Sequence, residues 1–276
     1  MTDRREQRER FLADAQGLVP YLVADRDGVH FVLPTGDPTL SKLFVASEKH
    51  KERDMLRRAL ERLEDAGVPA SRTTFLDVGA NVGTVAFAAL QTGFERVIAC
   101  EPVPESVRLL RANLALNDAE DRVRVVEVAV SDGGGELAVD VGLGSRKARM
   151  LVGPAERDVP RVRAASLDDL VAAGVVDPGT VGFVLMDVEG HEPHVLDGGS
   201  AVFGTGVPLV LELNPKLLHL GGRSGDFGPL LARYYTHVLD LRDRGAELVP
   251  LGEVPALVER YEGRSTDLLA CRLDRD

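Results

Sequence analysis

The sequence predicts an α/β protein built on a mostly parallel, nucleotide-binding sheet flanked by helices, and two stretches carry that prediction. From Thr74 to Glu101, an apolar run ending in Asp77 leads into Val78-Gly79-Ala80-Asn81-Val82-Gly83. An apolar segment and a second apolar run, Val97-Ile98-Ala99-Cys100, follow, and that run ends in Glu101. Strand, glycine turn, helix and strand in this order form a βαβ unit with an acid at each strand tip. Further on, the apolar run Val181 to Met186 delivers Asp187-Val188-Glu189-Gly190-His191-Glu192-Pro193. Open α/β sheets bind ligands at the carboxyl edge of their strands, so both acid-bearing tips are expected in one cleft.

Composition bounds the partners. With 276 residues, 44% of them hydrophobic, the chain has enough apolar material for one full core and an appendage. A net charge of −11 argues against a nucleic-acid partner, whose phosphates require a basic face. No apolar run approaches the ~18 residues of a membrane span, and Met1 to Arg10 has no apolar signal core, so a cytoplasmic location is expected. Cys100 and Cys271 have neither zinc nor disulfide spacing and read as buried free thiols.

Residues 2 to 16 suggest an amphipathic helix or a frayed tail, and Tyr21 to Leu33 a β-hairpin turning at Asp27-Gly28. Leu40 to Val45 reads as a short strand, and Glu48 to Asp65 as a helix with Met55, Leu56, Ala59, Leu60 and Leu63 on one face. Residues 1 to 70 are therefore expected to cap the main domain, residues 71 to 276, and to supply substrate contacts; such a hairpin could also support a homodimer. Ser106 to Asn117 reads as a helix and Val123 to Val130 as the third strand. Glu136 to Val141 follows as a hairpin strand, then residues 142 to 160 as a mobile loop over the site or a plain surface loop. Ser166 caps a helix that Gly174 closes, and Pro193 suits a first helical turn. Pro208 to Leu213 is the fifth strand, carrying Glu212; Leu230 to Leu241 reads as a helix, Ala246 to Leu251 as strand six and Thr266 to Arg272 as strand seven.

The first turn admits two ligands. A dinucleotide fingerprint requires glycine where Asn81 stands, and a pyrophosphate would meet the charge of Asp77. A cofactor with a cationic, amine-bearing tail suits that acid better. Gly79 and Gly83 permit a tight turn and close backbone approach, and Glu101 is placed to accept hydrogen bonds from ribose hydroxyls. The pattern D-x-G-x-x-x-G followed by Glu101-Pro102 is similar to the S-adenosylmethionine (SAM) site of class I methyltransferases.

Taken with Ala129-Val130-Ser131-Asp132, Ser166-Leu167-Asp168-Asp169-Leu170, the D-V-E-G-H-E stretch and Leu211-Glu212-Leu213, the sequence resembles the FkbM-type SAM-dependent methyltransferases over roughly residues 72 to 215. The resemblance implies a Rossmann-like class I methyltransferase fold, a seven-stranded sheet of order 3-2-1-4-5-7-6, and methyl transfer mostly to hydroxyl oxygens of natural products or sugars. Matched to the motifs, the SAM site comprises Asp77, Gly79, Asn81, Gly83, Glu101, Pro102, Ala129, Val130, Asp132 and Asp187, with Asp132 near the adenine amine. Many relatives carry Lys where this chain has Leu185, which leaves the cleft more acidic.

An alcohol acceptor must lose a proton. His191 is the natural base near neutral pH, with Glu189 or Glu212 next. Alternatively Asp187, Glu189 and Glu212 hold a Mg²⁺ that lowers the acceptor's pKa. A SAM-binding protein without catalysis and an NAD-dependent oxidoreductase are the remaining readings.

Overall fold

In the computed structural model, residues 4–37, 51–141, 148–151 and 159–273 are described. Helix α1 (Arg4–Gln16) precedes the hairpin of β1 (Tyr21–Arg26) and β2 (Val29–Pro34). Asp27 and Gly28 at its tip both have left-handed φ, 52° and 79°, the requirement of a two-residue turn matched to strand twist. Helix α2 (Lys51–Asp65) buries Leu56, Ala59, Leu60 and Leu63, the face expected from spacing. The expected strand at Leu40 to Val45 lies outside the described residues.

The main domain begins with β3 (Thr74–Val78), α3 (Thr84–Gln91), β4 (Arg96–Cys100), α4 (Pro104–Leu116) and β5 (Val123–Val126). Three short strands, β6 (Ala129–Ser131), β7 (Gly135–Asp140) and β8 (Arg149–Leu151), lead to β9 (Arg161–Ser166) and α5 (Leu167–Ala172). Then come β10 (Val181–Met186), α6 (Glu192–Asp197), α7 (Ser200–Phe203), β11 (Leu209–Leu213) and α8 (Pro215–Leu220). The described chain closes with α9 (Phe227–Tyr234), β12 (His237–Asp240), β13 (Val249–Pro250), α10 (Val254–Arg260) and β14 (Thr266–Cys271).

Eight strands form the main sheet in the order β13-β12-β14-β11-β10-β3-β4-β5. The run from β5 to β11 is parallel, and β14 enters antiparallel between β11 and β12. The strand beside β14 is β12, inside the span read as a helix; Val249–Pro250 lies one place further out as a short edge strand. Leu230, Leu231, Val238 and Leu239 have helical spacing, but the chain leaves the helix at Tyr235, whose φ and ψ are −122° and 161°.

The expected third strand also divides. Val123–Val126 stays in the main sheet, whereas Ala129–Ser131 pairs with β9 in a second sheet of order β6-β9-β7-β8. That sheet contains Arg149–Leu151, so part of the span read as a loop is strand, paired with Ala138–Asp140. Residues 142–147 and 152–158 of the span lie outside the described residues.

Side chains alternate across the strands and build two cores. Phe75, Phe183 and Phe94 pack together on one face, with ring centroids 5.0 to 6.2 Å apart. Val29, Phe31 and Leu33 of the hairpin and the buried face of α2 belong to this same core, and Phe31 meets Phe87 edge-on at 5.3 Å. The hairpin is held to α4 by Asn113, whose Oδ1 accepts the Val32 N–H at 2.7 Å. The N-terminal elements thus complete the core rather than standing apart from it. Leu76, Val184, Met186 and Phe203 lie in the core of the opposite face.

Candidate active site

A cavity of about 320 Å³ opens at the carboxyl edge of the main sheet. One wall is apolar: Val103, Val128, Ala129, Val130, Ala148 and Met150. Asp187, Glu189, Glu212, Arg242 and Asp267 also line the cavity, with the apolar Leu185 and Val210, as do Gly79, Asn81, Glu101 and Pro102. Helix α2 contributes Lys51, Glu52 and Met55 to the lining.

The glycine turn fixes the floor. Gly79 has φ 96°, and a Cβ there would sit 2.1 Å from the Asp187 carbonyl oxygen, so β3 and β10 tips approach only because this residue has no side chain. Asn81 is also left-handed, at φ 51°, a conformation asparagine tolerates better than most residues. Its backbone N–H donates to Glu101 Oε2 and the Val103 N–H to Oε1, both at 2.8 Å. These bonds clamp the Glu101 carboxyl in one orientation. Burial raises it to about 7 against the pull of the two N–H groups. Gly83 does not line the cavity; it starts α3, where a Cβ would meet the Leu110 side chain at 2.6 Å.

Asp77 lies beneath the turn rather than along the cavity wall. Strand alternation turns it to the face of Phe75 and α3, fully buried, with neither carboxyl oxygen in a hydrogen bond. Burial and then repulsion from Glu101 push it up to about 8, against a weaker pull from the Ala86 N–H, whose geometry falls short of a hydrogen bond.

The D-V-E-G-H-E stretch wraps the far edge. Glu189 and Gly190 are consecutively left-handed, with φ 52° and 97°. Glu192, a residue the sequence left without a role, folds back and is almost fully buried, its Oε1 3.3 Å from the Gly190 N–H and 3.4 Å from that of Val188. Burial raises its carboxyl to about 8 despite those backbone bonds.

His191 lines the cavity but differs from the expected base. Its Nε2 is 2.9 Å from Ser131 Oγ, its ring stacks on His194 with centroids 4.2 Å apart, and Nδ1 is buried without a partner. Burial first, then the charge of His194, lowers its pKa to about 3, so the ring is neutral at physiological pH and a weak proton acceptor. Asp132 is likewise corrected. Its carboxylate meets His194 Nδ1 at 2.8 Å and Arg223 at 3.4 Å and is absent from the cavity wall.

Glu189 and Glu212 do line the cavity. Glu212 pairs in register with Asp267 of β14, and Arg242 Nε donates to Asp267 Oδ2 at 3.1 Å. Arg242, Asp267 and Lys51 carried no motif; the pairing of β14 with β11 brings Asp267 to the site, and that of β12 with β14 brings Arg242, which follows β12. Among the described residues no group of three His, Cys, Asp or Glu side chains is arranged to hold a metal ion, so Asp187, Glu189 and Glu212 do not make the expected Mg²⁺ set.

A mostly parallel sheet with a glycine turn after its first strand and acids at the neighbouring tips is the Rossmann-like class I methyltransferase fold. The chain belongs to the FkbM methyltransferase family: the methyltransferase FkbM domain matches residues 77–245, more than half of the sequence. It is 43% identical over 70 residues to a ribosomal protein L11 methyltransferase of Pelobacter propionicus, a stretch that is 24% of this chain and 23% of that protein. Similar solved structures include TYW2 of Pyrococcus horikoshii in complex with MeSAdo, at 16% identity and TM-score 0.45 over 98% of this chain and 84% of that one. Another is precorrin-6y C5,15-methyltransferase of Geobacter metallireducens, at 13% identity and TM-score 0.42 over 79% and 87% of the two chains. No helix among the described residues is long and apolar enough to cross a membrane.

Proposed function

We propose that the chain methylates a hydroxyl group of a small molecule, a natural product or sugar, with SAM held along the β3, β4 and β6 side of the cavity. SAM supplies a methyl group on a positively charged sulfur, open to in-line attack. The observation that carries the reading is one cavity lined both by Val103, Ala129 and Val130 with Glu101 and by the carboxyl side chains Glu189, Glu212 and Asp267. Such a volume is on the scale of small-molecule sites, roughly 300–1,000 Å³.

The residues fit the cofactor. Glu101, held by two backbone N–H groups, keeps lone pairs for ribose hydroxyls. Asp77 is a buried carboxyl without a hydrogen bond, whose ionisation a cationic ligand favours. Gly79 leaves the turn open where a side chain would fill it. The apolar wall suits a purine.

Proton removal falls to Glu189, with Glu212 orienting the acceptor. Glu189 is held in a left-handed conformation that a non-glycine residue rarely adopts, a kind of strain that concentrates at functional sites. The weakly basic His191 no longer competes for the role. Catalysis then rests on holding the hydroxyl oxygen about 3 Å from the methyl carbon and accepting its proton.

The test is S-adenosylhomocysteine release in the presence of hydroxylated small molecules, RNA or ribosomal protein L11. Turnover on RNA or protein alone would overturn the acceptor class. With a working acceptor, Glu189→Gln is expected to lower kcat about 10²–10⁴-fold while SAM affinity stays within about threefold. An unchanged kcat removes Glu189 from the role.

A further inference from the structure

The turn that carries Glu189 into the cavity is held from two sides. Gly190, with φ 97°, follows Glu189, and a Cβ on it would lie 2.3 Å from the Leu217 carbonyl oxygen. A Cβ on Gly221 would in turn lie 2.2 Å from the Gly190 carbonyl oxygen. The end of α8 is thus seated directly on the turn, and α8 begins just after β11, the strand that carries Glu212.

Glu192 holds the turn from within the motif itself. Its Oε1 accepts the Val188 N–H at 3.4 Å and the Gly190 N–H at 3.3 Å, so a single oxygen ties together the residues on either side of Glu189. Glu192 is 1% exposed and is absent from the cavity lining, so it meets no substrate. A buried carboxyl is costly unless it is neutral or well paired, and its Oε2 has no hydrogen-bond partner. Burial foremost, with a smaller repulsion from Glu212, raises this carboxyl to about 8, so it carries a proton at neutral pH. As a neutral acceptor it can serve the two N–H groups without setting a second charge against Glu212.

What the clamp fixes is a backbone conformation that glutamate rarely adopts, φ 52°, on a residue that lines the cavity. Released from Oε1, the turn can relax towards ordinary φ values and carry the Glu189 carboxyl away from its place. We propose that Glu192 is a positioning residue for methyl transfer, which through its bonds to Val188 and Gly190 holds the Glu189 side chain at the reacting hydroxyl. The assignment rests on the reading of Glu189 as the proton acceptor. A misplacement of about 1 Å at a reacting group can cost roughly a hundredfold in rate, so a residue that never touches the substrate can still govern kcat.

The test uses two changes of Glu192 and one double variant, assayed with the hydroxylated molecule that supports S-adenosylhomocysteine release. Glu192→Gln offers an amide oxygen to the same two N–H groups and is expected to keep kcat within about threefold. Glu192→Asp is one methylene shorter and withdraws the acceptor, so kcat should fall about 10–100-fold while S-adenosylhomocysteine affinity, read by calorimetry, stays within about threefold. In a Glu189→Gln background the same shortening should cost less than about threefold, because the group it positions is already lost. Amide hydrogen exchange needs no acceptor: Val188 and Gly190 should exchange about tenfold or more faster in Glu192→Asp than in the wild type or Glu192→Gln. Losses that multiply in the double variant, or equal exchange in all three proteins, overturn the assignment. Glu192→Gln keeps shape and burial and so decides the matter even if Glu192→Asp does not fold: a loss of kcat there of about tenfold or more also overturns it. Normal turnover by Glu189→Gln alone overturns the reading of Glu189 beneath the proposal, a separate and recognisable result.

Discussion

Asp77 and Glu101 follow one another at the tips of adjacent parallel strands, and neither is in contact with a cation among the described residues. Burial first, and then repulsion from Glu101, raises the cost of ionising Asp77. A ligand with net positive charge reverses that balance, because it favours the ionised forms that burial disfavours. Asp77→Asn keeps the shape and removes the charge. Its SAM dissociation constant is expected to rise about tenfold, as for loss of a buried charge acting on the ligand through the turn, while the ligand-free protein keeps its stability. Unchanged affinity in a calorimetric titration would reduce Asp77 to a packing residue.

At the scale of elements, the site depends on how closely strand tips approach. Gly79→Ala would place a methyl 2.1 Å from the Asp187 carbonyl and hold alanine at φ 96°. The tip of β3 or β10 must move, so a loss of roughly 2 kcal/mol or more in chemical denaturation and loss of SAM binding are expected together. A variant with native stability and affinity would show that the tips can part freely.

The same elements mark what the sequence discloses. Buried parallel strands show as apolar runs ending in acids, and the hairpin shows in Asp27-Gly28. The Ser166 cap shows too, its side chain accepting the Asp169 N–H while Asp169 accepts that of Ser166, each at 2.9 Å. These signals are local. The helix read through Leu241 failed because its spacing suits both states, and pairing of β12 with β14 decides between them. The aromatic and β-branched run Tyr234-Tyr235-Thr236-His237-Val238 carries a strand signal that competes with that spacing. For the site, the motif residues Gly79, Asn81, Glu101, Pro102, Ala129, Val130 and Asp187 line the cavity, whereas Asp77, Gly83 and Asp132 do not. The neutrality of His191 was not legible, because it depends on residues packed from β6 and α6, and neither were Arg242 and Asp267, delivered by distant strands.

For the whole molecule, the buried ionisable groups give the fold a pH dependence of definite sign. Asp77 and Glu192 are raised to about 8 and Glu101 to about 7, whereas in the unfolded chain all three titrate near 4. Between those values the folded protein binds more protons than the unfolded one, so their contribution falls as pH rises and levels off above about 8. His191, lowered to about 3, acts oppositely: its contribution is present above 6.5 and is lost as pH falls. The two effects oppose each other below pH 6.5, and above it the acids act without that opposition. The melting temperature of the ligand-free protein is therefore expected to fall between pH 6.5 and 8.5 by about 4 °C or more, equivalent to roughly 1–2 kcal/mol in a chain of this size. SAM, which favours ionised Asp77 and Glu101, should raise the melting temperature more at pH 8 than at pH 6.5 and release protons on binding. Calorimetric titration in buffers of different ionisation enthalpy reads that release directly. A melting temperature that is flat or rises across the window, with no proton released, would mean that these carboxyls are already ionised in the folded protein.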